Sequence, residues 1–260
     1  MAPMKSPKRL QSLIDEGLVD EVVRQLMSGK EATVYVVRRG GETLCAKVYK
    51  EATQRSFRQA VDYTENRKVR NSRQARAMAA AAGVRVPKPH NFCDGVLLMD
   101  LVSDEHGDAA PRLNDVVFTP EQARAHHATL LKEVVRMLCA GVVHGDLSEF
   151  NILLGDDGPV IIDLPQAVDA AGNNHAQRML LRDVANLRGF FGRFAPELLD
   201  TDYGHEIWDL YRRGILDPGV ALTGRFEHET GAVDVGNVMR EIDDARDEEA
   251  ARRLRMQALG

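Results

Sequence analysis

A chain of 260 residues, 44% hydrophobic and 28% charged, has the balance of a soluble globular protein with room for one large or two small cores. Its 34 Lys and Arg against 39 Asp and Glu leave a net charge of −5, which argues against a dominant nucleic-acid-binding surface. The scattered Cys45, Cys93 and Cys139 exclude a disulfide framework or zinc knuckle, and no stretch is apolar enough to span a bilayer, so a cytoplasmic location without a membrane partner is expected.

Taken in order, Leu10, Leu13, Ile14, Leu18, Val22, Val23 and Leu26 recur near helical spacing, with Gly17 as a break, and predict an N-terminal helical extension over residues 1–26. Ser28, Gly29 and Lys30 then form a small polar turn ahead of a β-rich run. Gly40-Gly41 reverses the chain, and the return strand carries Lys47 among apolar residues, where a charge is costly without a partner. Alone, Lys47 would read as an edge-strand lysine that discourages aggregation. Together with backbone N–H groups of Ser28, Gly29 and Lys30, it has the makings of an anion site for a phosphate chain.

Residues 51–76 are polar and basic, with Arg67-Lys68-Val69-Arg70 and Arg73 most simply a solvated face. An alanine-rich helix follows over 76–82 and ends at Gly83. Pro87 and Pro89 bound an extended stretch. Val96 to Val102 reads as a strand entering a connector, either a buried strand with no ligand or, if the chain is a nucleotide enzyme, a hinge where backbone groups of Asp100 and Val102 bond an adenine edge that Met99 lines. Thr119-Pro120-Glu121-Gln122 is a helix start with its cap and reciprocal Gln, and Leu130, Leu131, Val134, Val135 and Leu138 make its buried stripe. Further helices are expected over 176–194 and around Trp208. Ala195-Pro196-Glu197 is read as a chance triplet, and residues 231–260 as a charged helical or disordered tail.

The chain is organised around Val142-Val143-His144-Gly145-Asp146 through Asn151-Ile152-Leu153-Leu154 and on to Ile161-Ile162-Asp163. Two short strands around the Gly155 to Pro159 turn gather three polar side chains at a hairpin mouth. Asp146 is placed to orient an attacking hydroxyl. Asn151, five residues on, and Asp163 have the hard oxygen donors that hold Mg²⁺ against phosphates. Any one of these residues alone would be an ordinary turn residue; it is the H-x-D-x-x-x-x-N spacing followed by a strand-terminal Asp that signals phosphoryl-transfer chemistry.

These segments, with Ser28-Gly29-Lys30-Glu31-Ala32 upstream and Leu164-Pro165-Gln166-Ala167-Val168 downstream, resemble the RIO family of atypical serine/threonine protein kinases, bacterial type, from about Leu26 to about Trp208. The resemblance implies an α+β, two-lobed protein-kinase-like fold: a small antiparallel β N-lobe with nucleotide loop and hinge over 27–102, a mainly helical C-lobe over 103–230, and no long activation segment. It implies ATP and Mg²⁺, with Mn²⁺ as a substitute, and transfer of the γ-phosphoryl group to a protein substrate or to the chain itself. Asp146 would be the catalytic Asp, Asn151 and Asp163 metal ligands, and Lys47 the ATP lysine. Asp163 is also the position that accepts phosphate in the family, giving ATPase turnover and, through the family alone, a ribosome-related partner.

One departure stands out. The helix that in related kinases presents a Glu to the Lys has no acid here, and part of the family's flexible segment is missing. Glu51, Asp62 and Glu65 are the only acids between Lys47 and Asp94. A poorly oriented Lys47 and reduced activity are expected from this. The alternatives are thus a nucleotide-binding scaffold with weak or no catalysis and a small-molecule kinase of the aminoglycoside or choline type.

Overall fold

The computed structural model describes residues 8–30, 32–50, 72–164 and 166–227. Met1–Arg225 form one compact unit and Phe226–Gly260 a second, of which only Phe226 and Glu227 are described. The basic run at residues 67–70, the acids Glu51, Asp62 and Glu65, and the expected tail over 231–260 all lie outside the described residues.

Helix α1, Lys8–Asp15, precedes a five-stranded antiparallel sheet built from β1 (Glu21–Ser28), β2 (Ala32–Arg39), β3 (Glu42–Tyr49), β4 (Pro89–Cys93) and β5 (Val96–Asp100), in the order β1-β2-β3-β5-β4. The expected second N-terminal helix is instead β1. Val22, Val23 and Leu26 fit a helical stripe on paper, but the β-branched pair favours a strand and Val22 pairs with Val37 across the ladder. Long-range pairing overrides so short a periodic signal.

Alternation along the strands sorts the sheet into two faces. Tyr35, Val37, Leu44, Ala46, Val96 and Leu98 lie buried together with Leu10 and Leu13 of α1. The register Val34 to Lys47, Val36 to Cys45, Cys45 to Met99 and Lys47 to Leu97 puts the other set on the opposite face. There Val36, Cys45 and Leu97 are buried beside Lys47. The β4–β5 turn is Asp94-Gly95, both with positive φ (51° and 72°), the pairing that a tight primed hairpin requires.

Helix α2, Ser72–Ala81, crosses to the second lobe, where α3 (Pro120–Cys139), α4 (Ala176–Phe191) and α5 (Tyr203–Arg212) enclose the main core. The expected cap of α3 is present in full. Thr119 Oγ1 accepts from Gln122 N at 3.2 Å and Gln122 Oε1 accepts from Thr119 N at 3.0 Å. All five residues of the expected α3 stripe are buried. Between α3 and α4 run β6 (Val142–Val143), the β7–β8 hairpin (Ile152–Gly155 and Gly158–Ile161) and β9 (Val168–Asp169), which pairs back on β6. Twelve residues, 164–175, separate Asp163 from α4, so no long activation segment intervenes. No described helix is long and apolar enough to cross a membrane.

His127 sits within this core against Phe191 and Tyr203, ring centroids 5.8 and 5.7 Å away, and its Nε2 has no hydrogen-bond partner among the described residues. Burial lowers its pKa from 6.5 to about 4. The unfolded chain therefore takes up a proton between those values that the native state refuses, and stability is lost as pH falls through that window. At pH 5 the loss relative to neutral pH is about 2 kcal/mol. His127→Phe should remove that share of the acid sensitivity, measured as the change in urea midpoint between pH 7 and pH 5. An equal change in both proteins contradicts the assignment.

Candidate active site

Strand β6 delivers His144-Gly145-Asp146 to the cleft, and the loop's shape is fixed by buried contacts. The His144 ring is 3% exposed. Its Nδ1 accepts from Asp146 N at 3.3 Å, which makes Nε2 the donor to the Ile162 carbonyl at 3.0 Å. Burial holds the imidazole below its ordinary pKa, so it is neutral and acts as a brace. Gly145 has φ +80°, and a Cβ there would lie 2.9 Å from the Gln166 carbonyl oxygen, so no other residue fits.

Helix α4 grips the same loop. Asp183, 1% exposed, accepts from Gly145 N at 2.8 Å and Leu147 N at 2.9 Å, one on each oxygen. Asn186 Nδ2 donates to Leu147 O at 2.9 Å, and Arg182 donates to Gly145 O. Sequence reasoning missed these three residues. The available signal was that Asp183 falls in the apolar stripe of Leu180, Val184 and Leu187, where a carboxylate has no place without partners. Burial raises its pKa from 3.8 to about 7, against the lowering effect of the two amide donors.

Asp146 itself is exposed at the loop's apex. Asn151 Nδ2 donates to Asp146 O at 2.7 Å and to Asp146 Oδ2 at 3.3 Å. The Asn151 amide nitrogen thus faces Asp146. Ile162 N donates to Asn151 O at 2.9 Å, which sets Asp163 directly beyond Asn151. Asp163 has φ +63°, a left-handed conformation uncommon for a residue with a side chain and one that Asp tolerates better than most. Its Oδ1 meets Lys47 Nζ at 2.6 Å. Asp146, Asn151, Asp163 and Lys47 therefore converge, across a separation of 116 residues in the case of the ion pair.

Lys47 was expected to lack an orienting partner; Asp163 holds it instead. Beside it Cys45 is buried, which pushes its thiol up to about 12, so the sulfur is a neutral apolar surface facing the cleft. Met99 pairs with Cys45 across the ladder. Asp100 turns its carboxylate away, to His90 Nε2 at 2.6 Å, and its N–H to Lys88 O. Val102 gives its carbonyl to Ala110 N at 2.9 Å. In the β1–β2 turn, Gly29 N is taken by Ala32 O at 2.8 Å and Ser28 Oγ lies 3.2 Å from Thr33 Oγ1, while Lys30 is exposed. The amide of Gly29 is therefore bonded within the turn.

An antiparallel sheet over a helical lobe, with a strand lysine meeting the Asp that ends a hairpin beside an His-Gly-Asp loop, is the two-lobed α+β fold of the protein-kinase class. Residues 33–203 match the family model described as RIO domain. The RIO-type serine/threonine-protein kinase Rio1 of Haloferax volcanii is 34% identical over 203 residues, covering 71% of this chain and 68% of that protein. The protein of the same name from Methanocaldococcus jannaschii is 31% identical over 224 residues, covering 78% and 71%. The serine/threonine-protein kinase RIO2 of Caenorhabditis elegans is 32% identical over 237 residues, 83% of this chain but 42% of that longer protein. The chain belongs to the RIO family of serine/threonine kinases.

Proposed function

We propose that this chain binds ATP with Mg²⁺ in the cleft between the sheet and the helical lobe and transfers the γ-phosphoryl group to a serine or threonine hydroxyl. Transfer to the Asp163 carboxylate, followed by hydrolysis, is the ATPase form of the same chemistry. The observation that carries this reading is the Lys47 to Asp163 contact of 2.6 Å, set against the Asp146 and Asn151 pair.

The donor set suits the ion. Asn151 offers one carboxamide oxygen and Asp163 one oxygen that Lys47 does not hold, both hard donors. Among the described residues no cluster of three or more His, Cys, Asp or Glu could cage a metal. Mg²⁺ is held by one or two protein oxygens together with phosphates and water, so these two donors suffice for it. When bound, the ion would neutralise charge on the phosphates. Asp146 accepts the proton of the substrate hydroxyl as its oxygen bonds to the γ-phosphorus, and the bond to the ADP oxygen breaks. Lys47 leaves Asp163 for the phosphates. Cys45, Val36 and Met99 present an apolar face for the adenine, and the Asp100 carbonyl and Val102 N–H, the groups that Lys88 and Ala110 do not take, its polar edge.

The closed Lys47 to Asp163 bridge favours slow turnover, because substrate binding must first break it. A chain that binds nucleotide with weak catalysis is the second reading. The test is a thermal shift. Mg²⁺ with ATP at about 100 times its Kd should stabilise the chain by about 2.7 kcal/mol. Asp163→Ala should abolish the dependence of that shift on Mg²⁺. A shift that is the same with and without Mg²⁺ in the unmodified chain contradicts the metal assignment.

A further inference from the structure

A buried cation stands beside this cleft that the chemistry above does not use. Arg76 lies on α2, next to the fully buried Ala75 and one turn from Ala79, and is itself 5% exposed. Among the described residues its Nε has no hydrogen-bond partner. A buried guanidinium Nε without an acceptor is costly to the fold, and an anion reaching this group would offset that cost. Its electrostatic neighbours locate it. Arg76 interacts with Asp163, Tyr49 and Cys45, and Cys45 in turn with Lys47. These residues are the end of the β7–β8 hairpin and the cleft face of β3, on which Cys45, Lys47 and Tyr49 alternate.

Asp163 is the one carboxylate among those neighbours, and Lys47 already occupies its Oδ1. Among the described residues, Lys47 and Arg76 are thus both neighbours of Asp163 before any metal enters. Helix α2 reads SRQARAMAAA, with no acid to offset them. Where a kinase helix presents a carboxylate to its lysine, this helix presents a guanidinium. The sign of the charge at this helix is reversed, and a cation there suits a phosphate chain. Guanidinium is also the better group for the task, since its planar fork can meet two phosphate oxygens at once.

We propose that Arg76 is a second phosphate-binding cation of this cleft, which takes oxygens of the nucleotide's phosphate chain beside Lys47 when the Lys47 to Asp163 bridge opens. The proposal rests on the nucleotide reading above and assigns Arg76 to the phosphates, not to the base. Arg76→Met therefore weakens phosphate-bearing ligands selectively. Arg76→Lys, which keeps the charge without the fork, has an intermediate effect.

Equilibrium binding of ATP and adenosine, each with Mg²⁺, to the full chain and to both variants tests this. In Arg76→Met the ATP affinity should fall by about tenfold or more, with adenosine affinity unchanged, and Arg76→Lys should recover part of the loss. Equal losses for ATP and adenosine, or no loss of ATP affinity, overturn the assignment. Should Arg76→Met fail to fold, Arg76→Lys decides alone: a loss confined to ATP supports the proposal, and an unchanged ATP affinity overturns it. An unmodified chain that binds neither ligand removes the nucleotide reading itself, whereas one that binds ATP and is indifferent to Arg76 removes only the role given to this residue.

Discussion

Asp146→Ala should lower Mg²⁺-dependent phosphoryl transfer by about 10² to 10⁴-fold, the range for loss of a positioned proton acceptor, while nucleotide affinity changes by no more than a few-fold. The separation of the two effects follows from the surroundings of Asp146. Its carboxylate is exposed, and its contact with protein is the long 3.3 Å bond from Asn151 Nδ2. The stronger bond from Asn151, at 2.7 Å, goes to the Asp146 backbone carbonyl and survives the substitution. The loop itself is held by His144 and Asp183, neither of which touches the Asp146 side chain. Single-turnover transfer of labelled phosphate, read beside a binding titration, checks both halves. Unchanged turnover would remove Asp146 from the chemistry.

Asp183→Ala should be nearly as damaging by another route. The substitution leaves the amides of Gly145 and Leu147 buried without their acceptors, a cost of about 1–3 kcal/mol for each donor. The loop that carries Asp146 then loses two of the bonds that fix it. A fall in melting temperature together with a loss of turnover of about tenfold or more, and little change in ATP affinity, is the expected pattern. A pH series sharpens this. The folded-state pKa of Asp183 is raised from 3.8 to about 7, chiefly by burial. Its contribution to stability is therefore complete below 3.8 and lost as pH rises through about 7. The advantage of the unmodified chain over Asp183→Asn should narrow from pH 5 to pH 8. Full activity in Asp183→Ala, or an advantage that widens with pH, contradicts the role of α4 as the clamp on the loop.

The site was legible in the sequence to the extent that its chemistry is local. Asp146, Asn151 and Asp163 announce themselves because a hairpin mouth needs them at fixed spacing, and the hairpin's turn residues lie between them. The cap of α3 was readable for the same reason: Thr119 and Gln122 are three residues apart. What escaped depends on distant partners. Asp183 meets amides 36 and 38 residues away, and Lys47 finds its partner 116 residues further on. Strand β1 was misread because Val22, Val23 and Leu26 satisfy a helical count until β2 offers them a ladder. Strand β9 is two residues long and exists only through its pairing with β6. Arg76 looked like the first residue of a bland alanine-rich helix; its burial beside Asp163 is a property of the folded cleft.

A structure of the full chain with a non-hydrolysable ATP analogue and Mg²⁺ tests the account most directly. The metal is expected within about 2.0–2.1 Å of an oxygen of Asn151 and of Asp163, with Lys47 drawn away from Asp163 onto the phosphates. A nucleotide bound elsewhere, or an intact Lys47 to Asp163 bridge with no metal between Asn151 and Asp163, would contradict it.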